Sequence, residues 1–136
     1  MPITSAALDS KSATRSLEVR IENKTDRDLK FEHSSAEPGT FLTPPPDTIK
    51  AGDSKSFFLA SNNEVQGRDA KYRVVYAING FGPHGLLLVG ENPWSLGHVS
   101  ASTTVSPEAS AKGIRAKTDV NQGNVGLVLV GISENT

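Results

Sequence analysis

The stretch LEVRIE, residues 17–22, alternates strictly between an apolar and a charged side chain. Successive side chains of a β-strand point to opposite faces of the sheet, so this period of two places Leu17, Val19 and Ile21 together on one face. We therefore predict a strand with one face in the core and the other in water.

Similar patterns along the rest of the chain predict an all-β fold with about eight or nine short strands. Alternation or short apolar runs predict strands at residues 17–22, 29–32, 49, 56–60, 72–78, 86–89, 98–105, 114–120 and 125–132. Helix signals are poor, and only residues 107–112 are predicted to make one helical turn. Short strands separated by turn residues are typical of an antiparallel β-sandwich.

Proline and glycine mark the connections between these strands. Residues 34–47 contain Pro44, Pro45 and Pro46, and three consecutive prolines cannot donate the hydrogen bonds of a central strand. We therefore predict a long loop there. The sequence predicts a glycine-rich loop at residues 79–85 and a turn at residues 90–96.

Length and composition indicate one globular domain. The chain has 136 residues, of which 36% are hydrophobic and 21% are charged, and its net charge is −1. We expect a flexible N-terminal tail at residues 1–15, a sandwich domain at residues 16–133 and a C-terminal tail at residues 134–136. The near-neutral charge argues against a nucleic-acid partner, since proteins that bind the phosphate backbone of nucleic acids normally carry a clustered excess of basic residues. Cysteine is absent, which excludes disulfides and thiolate chemistry.

The N-terminal residues lack the apolar run of a signal peptide, and no stretch approaches the roughly 20 apolar residues of a spanning helix. We expect a cytoplasmic protein, or one released without a classical signal peptide, that would meet a membrane peripherally, from solution.

The sequence predicts no catalytic residue, no metal site and no cofactor. The three histidines are His33, His84 and His98, and none has a second ligand at metal-binding spacing. No nucleophile or phosphate-binding motif is found. We therefore expect a protein that is not an enzyme, the alternative being a site assembled from residues far apart in the sequence.

The candidate ligand-binding residues are aromatic or imidazole side chains in predicted loops: Phe41, Phe81, His84 and Trp94. Binding residues collect in loops because a rigid sandwich holds them out towards solvent. An aromatic ring in a loop has a second interpretation, which is that it covers the end of the core. Clustering of these rings at one end favours binding, whereas burial favours the structural role.

The order of these signals over residues 16–133 resembles that of the aegerolysins and related small β-sandwich cytolysins. The matching features are Val19, Ile21 and Asn23 in the first strand, Ala51-Gly52 before an apolar strand ending at Ser61, Gly67 before the strand through Tyr72 and Tyr76, and the segment Asn92-Pro93-Trp94-Ser95-Leu96-Gly97. The resemblance implies a sandwich that recognises membrane lipids, often sphingolipids, and acts with a pore-forming partner protein.

The first functional hypothesis is a membrane-lipid-binding protein of the cytolysin type, a toxin. Loops at one end of the sandwich would recognise lipid headgroups, and aromatic rings would enter the membrane interface without a spanning segment.

Two alternatives stay open. In a lectin-like module, Trp94 or Tyr72 would stack on a sugar, while polar loop side chains would bind its hydroxyls. These polar residues are Asn62, Asn63, Asn79 and His84. In a homo-oligomeric structural or interaction protein, the apolar final strand at residues 125–132 would pair across a subunit interface, because such a strand is an aggregation risk at an exposed edge.

Overall fold

The computed structural model describes residues 15–36, 39–61, 69–93, 98–123 and 125–134. These residues form ten strands and one short helix. In chain order they are β1 (Ser16–Asn23), β2 (Leu29–Ala36), β3 (Thr40–Thr43), β4 (Thr48–Ile49), β5 (Ser54–Ala60), β6 (Ala70–Ile78), β7 (Leu86–Asn92), β8 (Ser100–Val105), α1 (Pro107–Ala111), β9 (Ile114–Asn121) and β10 (Val125–Glu134).

The strands form two five-stranded sheets packed as a sandwich, which confirms the predicted fold class. The first sheet has the order β3-β5-β1-β10-β9 and the second has the order β4-β2-β6-β7-β8. All described neighbours are antiparallel except β1 and β10, which run parallel with Ser16 opposite Val125 and Asn23 opposite Ile132. A parallel pair needs a long connection, and here nearly the whole chain lies between the two strands.

The predicted alternation of β1 is observed in the middle of the first sheet. Leu17, Val19 and Ile21 are each 0% exposed and belong to the core between the sheets, whereas Arg20 is exposed on the outer face. Fully burying an aliphatic side chain of this size contributes roughly 1.5–3 kcal/mol. This strand therefore supplies a continuous part of the core.

The prediction of one long loop at residues 34–47 was wrong in part. β2 continues to Ala36, and β3 forms within the segment, with Thr40 opposite Ala60 and Phe41 opposite Leu59. The four residues of β3 are too few to show a period, and the strand forms because the edge of β5 offers it hydrogen bonds. The proline run itself lies outside every strand, as predicted.

The predicted turn at residues 90–96 was also wrong in part, because β7 continues through Asn92. Gly90 lies opposite Tyr72 in β6, and a Cβ atom at Gly90 would lie 2.6 Å from the tyrosine hydroxyl oxygen. The glycine therefore makes room for a ring and does not end the strand.

The final strand, β10, is not an edge strand. It pairs with β1 on one side and with β9 on the other, so both of its backbone edges are hydrogen-bonded within the chain. The edge exposure that motivated the oligomer hypothesis is therefore not found. β10 also extends to Glu134, one residue beyond the expected domain boundary.

Two buried asparagines tie the sheets together, one at each end of the sandwich. At one end, Asn23 donates from Nδ2 to the carbonyls of Arg27 (2.8 Å) and Ile49 (3.0 Å). At the other end, Asn92 donates from Nδ2 to the carbonyls of Ser16 (2.9 Å) and Gly123 (3.0 Å). Each amide loses its hydrogen bonds to water when it is buried, and these internal hydrogen bonds replace them.

Two tyrosines in β6 differ in how their buried hydroxyls are satisfied. Tyr76 donates from Oη to the carbonyl of Pro46 at 2.7 Å. Among the described residues, no hydrogen-bond partner reaches the buried Oη of Tyr72, whose ring packs edge-on against Phe57. An unsatisfied buried hydroxyl costs about 1–3 kcal/mol, whereas a satisfied one contributes about 0.5–1.5 kcal/mol.

We therefore expect different effects from the same substitution at the two positions. Tyr76→Phe should lower the free energy of unfolding by about 1 kcal/mol, because it removes a hydrogen bond. Tyr72→Phe should leave it unchanged or raise it by up to about 1 kcal/mol, because it removes a group that has no hydrogen-bond partner among the described residues. Urea denaturation of the two variants measures this, and equal destabilisation of both would contradict the assignment.

The pKa shifts of the same two tyrosines predict how the free energy of unfolding changes at alkaline pH. Burial raises the pKa of Tyr72, and burial followed by the charge of Asp47 raises the pKa of Tyr76. The tyrosines of the unfolded chain therefore ionise at a lower pH than those of the folded chain. The contribution of the two tyrosines to the free energy of unfolding is fully present below about pH 10 and is lost as the pH rises further. Urea denaturation at pH 8 to 11.5 should show the loss, and the double Phe variant should show less of it.

Candidate functional site

The loop at residues 79–85 turns directly at the end of β6. The amide of Phe81 donates to the carbonyl of Ile78 at 2.8 Å, and Gly80 and Gly82 have φ angles of +95° and +73°. A Cβ atom at Gly80 would clash with the guanidinium of Arg27. Glycine is required there because the backbone conformation is left-handed and Arg27 packs against it.

Arg27 holds this loop in place. Its guanidinium carbon lies 4.6 Å from the centroid of the Phe81 ring, and Nη1 donates to the carbonyl of Asn79 at 3.0 Å. Its Nε lies 3.5 Å from Oε2 of Glu134. Since Phe81 is half-buried against the core and covered by a cation, its ring stabilises the loop.

His84, in the same loop, contacts two consecutive residues of β2. Its amide donates to Oε2 of Glu32 at 2.8 Å, and its Nδ1 lies 3.4 Å from Oε1 of the same carboxylate. The His33 ring lies edge-on to the His84 ring, with the centroids 5.9 Å apart. One ligand atom from each of the three residues lies within 4.8 Å of the others.

A β-bulge explains how Glu32 and His33 both reach His84. The pairing of β2 with β6 is regular up to Phe31 and resumes at His33, so Glu32 has no partner in the ladder. A bulge redirects a side chain locally. Sequence spacing missed this cluster, because Glu32 and His84 are 52 positions apart and meet only through the β2–β6 pairing. The one local signal for a site in the sequence was the Gly-Pro loop in which His84 lies.

A groove runs across the outer face of the second sheet and ends at His84. Its residues are placed by the register of β6 and β7, in which Val75 lies opposite Leu87 and Arg73 opposite Val89. The depression beside His84 has a volume of about 330 Å³. It is lined by Arg73, Val75, His84, Leu87, Thr104, Val105, Ser106 and Pro107.

Two further depressions continue along the sheet. The first shares Arg73 with the depression beside His84, and the second shares Lys71 and Val89 with the first. The first is lined by Ser35, Lys71, Tyr72, Arg73 and Val89, and the second by Lys71, Val89, Gly90, Glu91, Ser100, Ala101 and Ser102. We refer to the face formed by Lys71, Arg73, Val75, Leu87 and Val89 as the outer groove.

The outer groove combines an apolar floor with two cations, and the carboxylate of Glu91 lies opposite Lys71 on the same face. Val75 is buried although it faces outward, and Leu87 and Val89 are half-buried. Lys71 and Arg73 are exposed, and none of the ion pairs formed by the described residues includes either of them. Such a surface suits an amphipathic ligand with an anionic group, because apolar area and charge are offered side by side.

The predicted site residues do not form one cluster. Phe81 and His84 share the loop at residues 79–85, but Phe41 lies towards the opposite end, in β3, half-buried against Phe57 at a centroid distance of 5.8 Å. Trp94 lies outside the described residues, as do Asn62 and Asn63.

The lectin hypothesis loses its second aromatic residue. Tyr72 is 2% exposed and packs in the core, so it offers no face on which a sugar ring could stack. Asn79 and His84, two of the polar residues proposed for that hypothesis, are exposed in the loop at residues 79–85.

Comparison with known proteins adds a family and a fold. Residues 2–84, more than half of the chain, match the sequence profile of the DUF5001 family, described as an Ig-like domain. Among solved structures, the crystal structure of the lipid binding protein Nakanori is similar, with a TM-score of 0.72 and 14% sequence identity. The alignment covers 96% of this chain and 77% of Nakanori, and at this identity the likeness shows a shared fold. No curated protein sequence matches the chain.

The contacts of Arg27 predict the effect of removing its charge. Arg27→Met keeps the apolar stem but loses the guanidinium, and we expect the free energy of unfolding to fall by about 1–2 kcal/mol. Amide hydrogen exchange in residues 79–85 should accelerate. The matched control is Arg20→Met, since Arg20 has an exposed guanidinium that pairs with Glu18 at 3.1 Å. Exposed pairs contribute little, so equal effects of the two substitutions would contradict the role given to Arg27.

Proposed function

The chain belongs to the DUF5001 family of Ig-like domains, and we propose that it is a non-enzymatic member that binds lipid headgroups at a membrane surface. The observation that carries this proposal is the outer groove, where an apolar floor lies beside two exposed cations. The shared fold with a protein described as lipid binding supports the same class of ligand.

In the proposed mode of binding, Arg73 contacts the headgroup phosphate. A guanidinium forms two parallel hydrogen bonds to phosphate oxygens, which gives orientation as well as attraction. Lys71 adds a second positive charge on the same strand, and both side chains are exposed. Leu87 and Val89, which are half-buried on the same face, cover the methylene groups next to the phosphate.

This mode differs from the one expected from the sequence. A cluster of loop aromatics at one end would require Phe41 and Phe81 to meet, but they lie towards opposite ends and both pack against the core. The proposed contact surface is therefore the outer groove, with His84 at its end. Trp94 stays a predicted contact.

In this proposal the protein approaches the membrane from its surface. Among the described residues, no helix has the length and the apolar character needed to cross a bilayer. The resemblance to aegerolysins favours a sphingolipid as the ligand and a pore-forming protein as the partner, and both belong to the proposal. A role as a cytolysin would follow only from that partner.

Binding is measured by co-sedimentation with vesicles of phosphatidylcholine and cholesterol, with and without sphingomyelin, and with vesicles that contain phosphatidylserine. We expect the chain to sediment with at least one of these compositions. Arg73→Gln should weaken binding by about tenfold or more, because a charge-assisted hydrogen bond contributes about 1.5–3 kcal/mol. Arg20→Gln is the matched control, since Arg20 is an exposed arginine in a central strand of the other sheet.

Three outcomes would contradict parts of the proposal. A chain that sediments with no vesicle is not a lipid-binding protein of this kind. Equal loss of binding in the Arg73 and Arg20 variants would exclude a specific role for the outer groove. Retention on a glycan array without sedimentation would favour the lectin alternative.

A further inference from the structure

The cluster of Glu32, His33 and His84 supplies the donor atoms of a metal site. Two imidazoles and one carboxylate lie with one ligand atom each within 4.8 Å of the others. Imidazole nitrogen and carboxylate oxygen are the donors that zinc takes when no thiolate is present. Three protein donors leave one tetrahedral position for water or a ligand, as in open zinc sites.

The distance between two of the three donors already fits such an ion. Metal–ligand bonds of about 2.0–2.1 Å at a tetrahedral angle separate neighbouring donors by about 3.3 Å. His84 Nδ1 and Glu32 Oε1 lie 3.4 Å apart, close to that separation. The ligand atom of His33 lies within 4.8 Å of the other two, and its imidazole is exposed, so solvent surrounds the ring and leaves it room to turn towards them.

The backbone orients two of the three donors before any ion binds. His84 has a φ angle of +58° and, among the described residues, is the only one besides glycine with positive φ. That conformation is uncommon for a residue with a Cβ atom. The His84 amide donates to Oε2 of Glu32, which directs the other carboxylate oxygen towards the imidazole.

We propose that Glu32, His33 and His84 bind a divalent cation of the zinc class. The site goes beyond the proposed lipid function, because its donors lie on β2 and on the loop at residues 79–85 and need no lipid. His84 also lines the outer groove, so a bound cation would add positive charge at the end of that groove.

The test uses the full chain without a polyhistidine tag and without lipid. Isothermal titration with ZnCl₂ should show one site per chain, whereas CaCl₂ should show no binding, because calcium prefers oxygen ligands. His33→Gln, His84→Asn and Glu32→Gln should each weaken zinc binding by at least about tenfold. Asn is chosen at position 84 because it tolerates positive φ.

The matched control is His98→Gln, because His98 is an exposed histidine outside the cluster. It should leave zinc binding unchanged. If a cluster variant fails to fold, NMR of the histidine rings in the unsubstituted chain decides the matter: zinc should shift the resonances of His33 and His84 but not those of His98.

Absence of zinc binding, or binding that survives both His33→Gln and His84→Asn, would overturn the proposal. A zinc-induced shift confined to His98 would also overturn it. None of these results depends on lipid, so the zinc site and the lipid function succeed or fail separately.

Discussion

The fold depends on β1, the strand that pairs on both sides in the middle of the first sheet. It pairs with β5 on one edge and β10 on the other, while Leu17, Val19 and Ile21 enter the core completely. A shift of one residue in either pairing would turn these three side chains to solvent and the charges to the core. The burial of one face therefore sets the register of three strands at once.

The same core packing determines which residues of the second sheet face outward at the candidate site. Once alternate residues of β6 and β7 are committed to the core facing β1, the residues between them must face outward, including Arg73 and Leu87. The outer groove is therefore a consequence of the core pattern. Asn23 holds the end of the sandwich at which Arg27 braces the loop at residues 79–85, and so it supports the placement of His84 indirectly.

Patterning in the sequence was sufficient for the sandwich but not for the site. The period of two and the turn residues predicted nine of the ten strands that the described residues form, because each of these signals depends on neighbours along the chain. β3, the parallel β1–β10 pair and the cluster around His84 depend on pairing between distant segments, which no local pattern records. Phe41 and Phe81 were predicted as ligand contacts because an aromatic ring in a predicted loop looks exposed, yet both pack against the core.

Ligand is proposed to meet this protein on the outer face of the second sheet. Two-dimensional ¹H–¹⁵N NMR of the chain, titrated with phosphatidylcholine bicelles that contain sphingomyelin, tests this directly. We expect the largest amide shifts around Lys71, Arg73 and Leu87, with the outer face of the first sheet around Arg20 unaffected. Shifts centred on Arg20, or confined to segments remote from β6 and β7, would contradict it.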